Sequence, residues 1–353
     1  MSQLFSPYPL RGVTLRNRVT VAPMCQYSSV DGMPSDWHLV HLGSFARGGA
    51  GLVLQEATSV VPEGRITPGD AGIWNDEQVA AYRRITDFIK SQGAVPGVQL
   101  AHAGRKASTY APWIADGSVP AADGGWQTVA PSAIAFPGYD EPRELTVDEI
   151  NDLVDAFAVG ARRALDAGFE VLELHGAHGY LLHQFLSPLS NQRTDSYGGS
   201  FDNRVRFPLE VVRAVRAAIP DEVPLLLRVS ATDWTEGGWD VEQTTAFARL
   251  AAEAGVDLVD VSSGGNVIAP IPVGPGYQVP LSRAVREGAK VATGVVGLIS
   301  EPEQAEQLLV DGAADLVLLA RALLRDPHWA QRAAVALRAE IPAPQQYHRA
   351  GWR

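Results

Sequence analysis

Cysteine is nearly absent: Cys25 is the only one in 353 residues. A lone thiol forms no disulfide within the chain, which excludes the stapled scaffold of small secreted domains. Met1 to Arg16 contains no continuous apolar stretch of the kind a secretory signal needs, so the expected compartment is the cytoplasm. Long apolar runs are missing as well. Leu316 to Ala320, followed at once by Arg321, is among the longest, far below the roughly 20 residues that cross a bilayer, and no membrane span is expected. Positive charge is scarce. With 29 Lys and Arg against 40 Asp and Glu, the formal charge is −11, the wrong sign for neutralising phosphate backbones, so nucleic acid is not an expected partner. Neither GxGxxG after a strand nor GxxxxGK[ST] occurs, which excludes a Rossmann nicotinamide site and a P-loop.

What is present is ordinary globular composition, 46% hydrophobic and 20% charged, and a repeating pattern. Eight short runs rich in Val, Ile and Leu alternate with stretches whose apolar residues return every three or four positions. The runs are Val19 to Ala22, Gly51 to Gln55, Val95 to Leu100, Val171 to Leu174, Leu225 to Val229, Leu258 to Val261, Lys290 to Ala292 and Leu316 to Leu319. Several follow a small-residue or glycine stop, as at Ala50-Gly51, Ala167-Gly168, Ala254-Gly255 and Gly312-Ala313, where glycine accepts the left-handed turn that ends a helix. Uniformly apolar runs suit strands buried on both faces, and eight βα units predict closure into a (β/α)8 TIM barrel. Thr146 with Glu149, and Ser300 with Glu303, have the spacing of capping boxes. Three connections after strands, Gly104 to Glu144, Gly176 to Asn203 and Gly264 to Pro280, are long. In a barrel they are βα-loop insertions at the C-terminal face, where their length builds a pocket. The first, with Trp113 and Trp126, is expected to form a lid or hairpin, and residues 341–353, broken by Pro342 and Pro344, an extended tail.

Residues just beyond each run then converge on one mouth. Strand one delivers Pro23, Met24, Cys25 and Tyr27, strand two Ala57, strand three Gln99 and His102, and strand four His175, His178 and Tyr180. Strand five supplies Arg228, strand six Ser262 and Ser263, strand seven Gly294 and Gly297, and strand eight Ala320 and Arg321. The glycines beside Arg321 suit a phosphate site, or else ordinary tight turns. Arg228 among leucines requires an anionic or strongly polar partner, either a ligand or a structural ion pair with Asp233 or Glu173. Gln99 donates and accepts at once, as an imide-like ring edge requires. His175 and His178 can grip one oxygen beside Tyr180, whose phenol, with a pKa of about 10, stays protonated at neutral pH. With His102 as a third ligand they could instead hold zinc, making a metal-dependent hydrolase or lyase, although no Cys pair or HExxH supports it. Lys106 raises Schiff-base aldolase chemistry, but it is expected in a polar loop beyond strand three. No base stands beside Cys25 in sequence to make it a nucleophile.

Several segments match a known pattern: Ala22-Pro23-Met24-Cys25-Gln26-Tyr27-Ser28, Glu56-Ala57-Thr58, Gln99 to Lys106, His175-Gly176-Ala177-His178-Gly179-Tyr180-Leu181, Arg228-Val229-Ser230 and Asp260 to Gly264. Here the sequence resembles the old yellow enzyme family of FMN-dependent ene-reductases over essentially its whole length, closest to the bacterial thermophilic-like branch. The resemblance implies tightly but non-covalently bound FMN, with NADPH or NADH as co-substrate. Residues 1–340 would form a single FMN-binding barrel domain with a lid-like insertion at about 104–144. It implies Ala22, Pro23, Met24, Cys25 and Ala57 along the isoalloxazine, Gln99 on its pyrimidine edge and Arg228 near N1 and the C2 carbonyl. Gly297, Ala320 and Arg321 would hold the phosphate, with Ser262 at the ribityl or phosphate region. An electron-poor alkene such as an enone or maleimide, or a nitroalkene or quinone, would bind through Tyr27, His175, His178 and Tyr180, with Tyr180 as proton donor. In this branch a tail arginine, here Arg349, enters a neighbouring subunit, which implies a homodimer or homotetramer and a docked tail at 341–353. Three departures stand out: Ala320 where glycine is common, Ala22 where serine is common, and Ala350 lengthening the tail motif.

Overall fold

The computed structural model describes residues 2–350. Eight parallel strands close into a barrel: β1 Val19–Val21, β2 Leu52–Ser59, β3 Val95–Ala101, β4 Val171–Gly176, β5 Leu225–Ser230, β6 Leu258–Ser262, β7 Ala292–Val295 and β8 Leu316–Leu319. Helices α1 Asp36–Arg47, α2 Asp76–Ser91, α3 Val147–Asp166, α4 Arg206–Ala218, α5 Val241–Glu253, α6 Val279–Ala289, α7 Pro302–Val310 and α8 Trp329–Ala336 follow the strands in turn. This is a (β/α)8 TIM barrel. Among the described residues no helix is long and apolar enough to cross a membrane.

The strands divide their side chains between two cores. Val53, Leu172, Leu225, Leu227, Val259 and Val317 face the helices, while Leu52, Leu54, Val171, Leu226, Leu258, Leu316 and Leu318 fill the barrel. This alternation lets a run apolar at every position bury both its faces. An antiparallel hairpin of Tyr8–Leu10 and Val13–Leu15 adds buried Leu10 and Leu15 to the inner cluster and closes the floor.

Three details depart from the sequence reading. The seventh strand is Ala292–Val295 rather than Lys290 to Ala292, because Lys290 is the left-handed cap of α6, at φ 57°. Strand β2 runs past Gln55 to Ser59 through a register shift between Gln55 and Ala57 that accommodates Glu56. Helix α7 starts from Glu301 with Pro302 in its first turn, so Ser300 makes no capping box and its amide donates to Gln304 Oε1 instead; Thr146 and Glu149 do form theirs at α3. Within 104–144 an isolated antiparallel bridge joins Thr109 to Ser118, and Val129–Ala130 and Arg143–Glu144 pair in parallel. The second long connection contains short helices at Leu181–Leu186 and Phe201–Arg204.

Candidate active site

The tight turn after β4 carries the densest chemistry. Gly176 ends the strand where an added Cβ would lie 2.9 Å from the Arg228 carbonyl oxygen, and His178 and Gly179 take positive φ. The turn is pinned by its own amides: His178 N–H donates to Ser230 Oγ at 2.9 Å and Gly179 N–H to His183 Nδ1 at 3.0 Å. His183 in turn is paired with buried Asp233 at 3.1 Å. Held this way, the His175 and His178 rings stand nearly perpendicular with centroids 5.3 Å apart, and the Tyr180 ring is 4.9 Å from that of His175.

All three groups are kept uncharged. Burial, followed by the field of Arg228, holds both imidazoles well below their ordinary pKa, and burial pushes the Tyr180 phenol well above its own. The Ala177 amide donates to His175 Nδ1 at 3.3 Å, which leaves the proton of that neutral ring on Nε2. His178 Nε2 lies 2.8 Å from Ser262 Oγ. These groups form a neutral chamber that can donate hydrogen bonds without first losing a charge.

Cys25, Tyr27, Tyr180 and Trp126 pack on one small apolar cluster with Ala57, Ile66, Ala101, Ala103 and Ala107. The Cys25 thiol is pushed well up by burial and by Asp70 and Glu56, so it stays protonated. Glu56 also accepts the Gln26 amide at 2.6 Å and pairs with buried His38 at 3.0 Å, tying the Cys25 loop to α1. Tyr27 sits at φ 49° with its ring edge-on to Trp113 at 5.5 Å, so the insertion after β3 reaches over the mouth. Ala22 belongs to the inner barrel cluster, whereas the Met24 side chain packs against the outer core; Pro23 lies half-buried between them.

Below the mouth lies a charged layer on four neighbouring strands. Gln99 Nε2 donates to Glu173 Oε1 at 2.7 Å, and Arg228 Nε is 3.0 Å from Asp260 Oδ2. The ion-pair partner of Arg228 is therefore Asp260, neither Asp233 nor Glu173. The register sets Asp260 directly opposite Arg228 on the next strand, while Asp233 is held by His183 and Ser187.

At the far edge a cleft of about 130 Å³ is lined by Ser262, Gly297, Ala320, Arg321 and Arg325. Gly297 has φ +127°, and a Cβ there would meet Gln278 Nε2 at 2.9 Å. Both arginines are exposed, and neither has a carboxylate partner among the described residues. The donor set suits a phosphate. Ser263 and Gly294 stand behind these groups, with Ser263 Oγ donating to Gln278 at 2.6 Å and Gly294 inside β7 rather than beyond it.

Two expectations change here. His102 is buried with Nδ1 accepting the Gly104 amide at 3.0 Å, and among the described residues no group of three or more His, Cys, Asp or Glu could hold a metal. Lys106 does not lie in a solvated loop. Its Nζ folds back to donate to the carbonyls of His178 at 2.8 Å and Gly265 at 3.0 Å, and lies 5.1 Å from the Tyr180 ring centroid. The sequence signal was its position directly after β3. Arg349 lies exposed in a 3-10 turn, Gln345–Ala350; Tyr347 beside it packs under Arg47 of its own chain at 5.4 Å. The end of the tail, residues 351–353, is outside the described residues.

Known proteins resemble this chain in sequence and in fold. The family model described as the NADH:flavin oxidoreductase / NADH oxidase family matches residues 3–340. An NADPH dehydrogenase of Geobacillus sp. (strain WCH70) is 48% identical over 355 residues, covering 100% of this chain and 99% of that protein. The old yellow enzyme homologue from Zymomonas mobilis superposes with a TM-score of 0.80 at 28% identity, covering 97% of this chain and 94% of its own. A 2-naphthoyl-CoA reductase complex gives a TM-score of 0.87 at 25% identity over 96% of this chain, which spans about half (52%) of that larger one. The chain belongs to the NADH:flavin oxidoreductase / NADH oxidase family and is an FMN-dependent NAD(P)H oxidoreductase.

Proposed function

We propose that the protein is an ene-reductase: an electron-poor alkene conjugated to a carbonyl enters the chamber after NADPH or NADH has left it. The observation that carries this reading is Ser262, which touches the neutral chamber through His178 and also lines the cationic cleft, so one elongated ligand can join the two. The residues fit FMN. Arg321, Gly297 and Ala320, with Ser262, would hold its phosphate, while Ala22, Pro23, Met24, Cys25, Ala57, Gln99 and Arg228 would surround its ring. When bound, FMN supplies the hydride that NAD(P)H delivers and the alkene accepts.

The chain's own groups do the rest. His175, through its Nε2 proton, and His178 hydrogen-bond the carbonyl oxygen, drawing electron density from the β-carbon. Where Ser262 donates to His178 Nε2, the proton of that ring sits on Nδ1 and is free for the same oxygen. Tyr180 delivers its proton to the α-carbon, and the nearby Lys106 ammonium steadies the phenolate left behind. Tyr27 and Trp113 shape the alkene's side of the chamber, and the neutral Cys25 thiol adjusts the polarity beside the ring. Residues 1–340 act as one barrel domain with 104–144 as its lid. Arg349, whose side chain makes no ion pair or hydrogen bond among the described residues, is assigned to a neighbouring subunit's chamber in a homodimer or homotetramer.

Purified protein should be yellow, release FMN on denaturation and bleach with NADPH; the bleached enzyme, mixed anaerobically with enones, maleimides, nitroalkenes and quinones, should regain colour fastest with its preferred class. Recoloration by none of them overturns the ene-reductase assignment.

A further inference from the structure

The layer under the mouth contains two buried carboxyls that the chemistry above does not use. In register, Gln99 faces Glu173 across β3 and β4, His175 faces Arg228 across β4 and β5, and Arg228 faces Asp260 across β5 and β6. Arg228 is thus level with a chamber imidazole on one side and with Asp260 on the other. Glu173 and Asp260 are both fully buried. Their hydrogen bonding is incomplete: Glu173 Oε2 and both Asp260 oxygens have no hydrogen-bond partner, and the Arg228–Asp260 contact is an ion pair at 3.0 Å without hydrogen-bond alignment. A buried ion pair of this kind contributes little to stability compared with well-packed apolar side chains. Its electrostatic effect is larger, because a guanidinium with an adjacent carboxylate projects a much weaker field than a guanidinium alone.

We propose that Asp260 is a positioning residue that sets how much of the Arg228 charge reaches the bound flavin ring, with Glu173 as a second carboxyl in the same layer. The inference rests on the FMN reading above. The reduced ring carries more negative charge than the oxidised one, so a stronger field from Arg228 favours the reduced state. The groups facing Glu173 are Gln99 from β3, Arg228 from β5 and Asp260 from β6. Burial, then the charge of Asp260, pushes the Glu173 carboxyl well up, which favours its neutral form at neutral pH and lessens the field it adds. Above that pH its ionisation adds a second negative charge beside Arg228.

The test is the midpoint potential of bound FMN, read by equilibration with a reference dye at pH 7 and pH 9 in wild type, Glu173→Gln and the double variant that adds Asp260→Asn. Asp260→Asn, made in the Glu173→Gln background so that Glu173 cannot ionise in its place, should raise the potential at pH 7 by about 30 mV relative to Glu173→Gln alone, equivalent to a tenfold stronger preference for reduced over oxidised FMN in a two-electron couple. A double variant that holds FMN at an unchanged or lower potential overturns the proposal. A merely structural role for Asp260 would weaken FMN binding without moving the potential. Glu173→Gln, isosteric with the neutral acid, should match wild type at pH 7 and lie above it at pH 9. If the double variant does not retain FMN, this comparison decides alone, and curves that superpose at both pH values overturn the proposal. Wild-type protein that binds no FMN, or is not reduced by NADPH, would instead remove the family-based reading.

Discussion

The two ends of the mouth are built on opposite electrostatic rules. At one end His175, His178, Tyr180 and Cys25 are all held neutral by burial. At the other, Arg321 and Arg325 stand exposed, with no carboxylate partner among the described residues. On the proposed reading the first region would spend no energy stripping charge from its donors to meet a carbonyl, while the second keeps its charge available for an anion. The contrast separates chemistry from anchoring, so substitutions at the two ends should fail differently.

Tyr180→Phe gives the largest expected effect: loss of a positioned proton donor should slow reoxidation by an enone about 10²–10⁴-fold. Reduction by NADPH should be much less affected, and stopped-flow traces of the two half-reactions check this; equal losses in both would break the division of labour. His175→Ala or His178→Ala removes one donor to the carbonyl oxygen and should lower the same rate by about 10²-fold. Arg321→Ala should instead weaken FMN binding, by about 10–100-fold for one charge-assisted contact, and reduce its dependence on salt. Fluorescence titration of FMN into apoprotein at two ionic strengths measures both. The smallest effect concerns pH. Burial holds His102 down at about 4, whereas the unfolded chain protonates it near 6.5. The unfolded state therefore binds more protons in that window, and stability is lost as pH falls from 6.5 towards 4. In His102→Gln, urea unfolding should show a pH slope shallower by about one proton; an unaltered slope would mean that His102 is not held neutral by burial.

The barrel was legible because each strand buries both faces, so apolar runs mark it without help from distant residues. The seventh strand was displaced for a physical reason: Gly294 faces the barrel, where a Cβ would lie 2.4 Å from Leu318 Cδ1, so a weak strand former occupies the strand's centre. Strand two was cut short because its polar continuation depends on a non-local partner, Glu56 on His38. In the site, residues adjacent to strand ends could be read from sequence, and the comparisons support the family they suggested. Partnerships could not. Asp260 meets Arg228 through strand order and register, and Lys106 reaches Tyr180 by folding back; neither follows from spacing along the chain.

The small hairpin at residues 8–15 has a kinetic consequence. Because leucines fill the barrel and Leu10 and Leu15 cap it, nothing passes along its axis; on the proposed ene-reductase reading, nicotinamide and alkene would therefore have to share the mouth. An excess of either should hinder the other, and double-reciprocal plots should bend upwards at high alkene rather than remain straight.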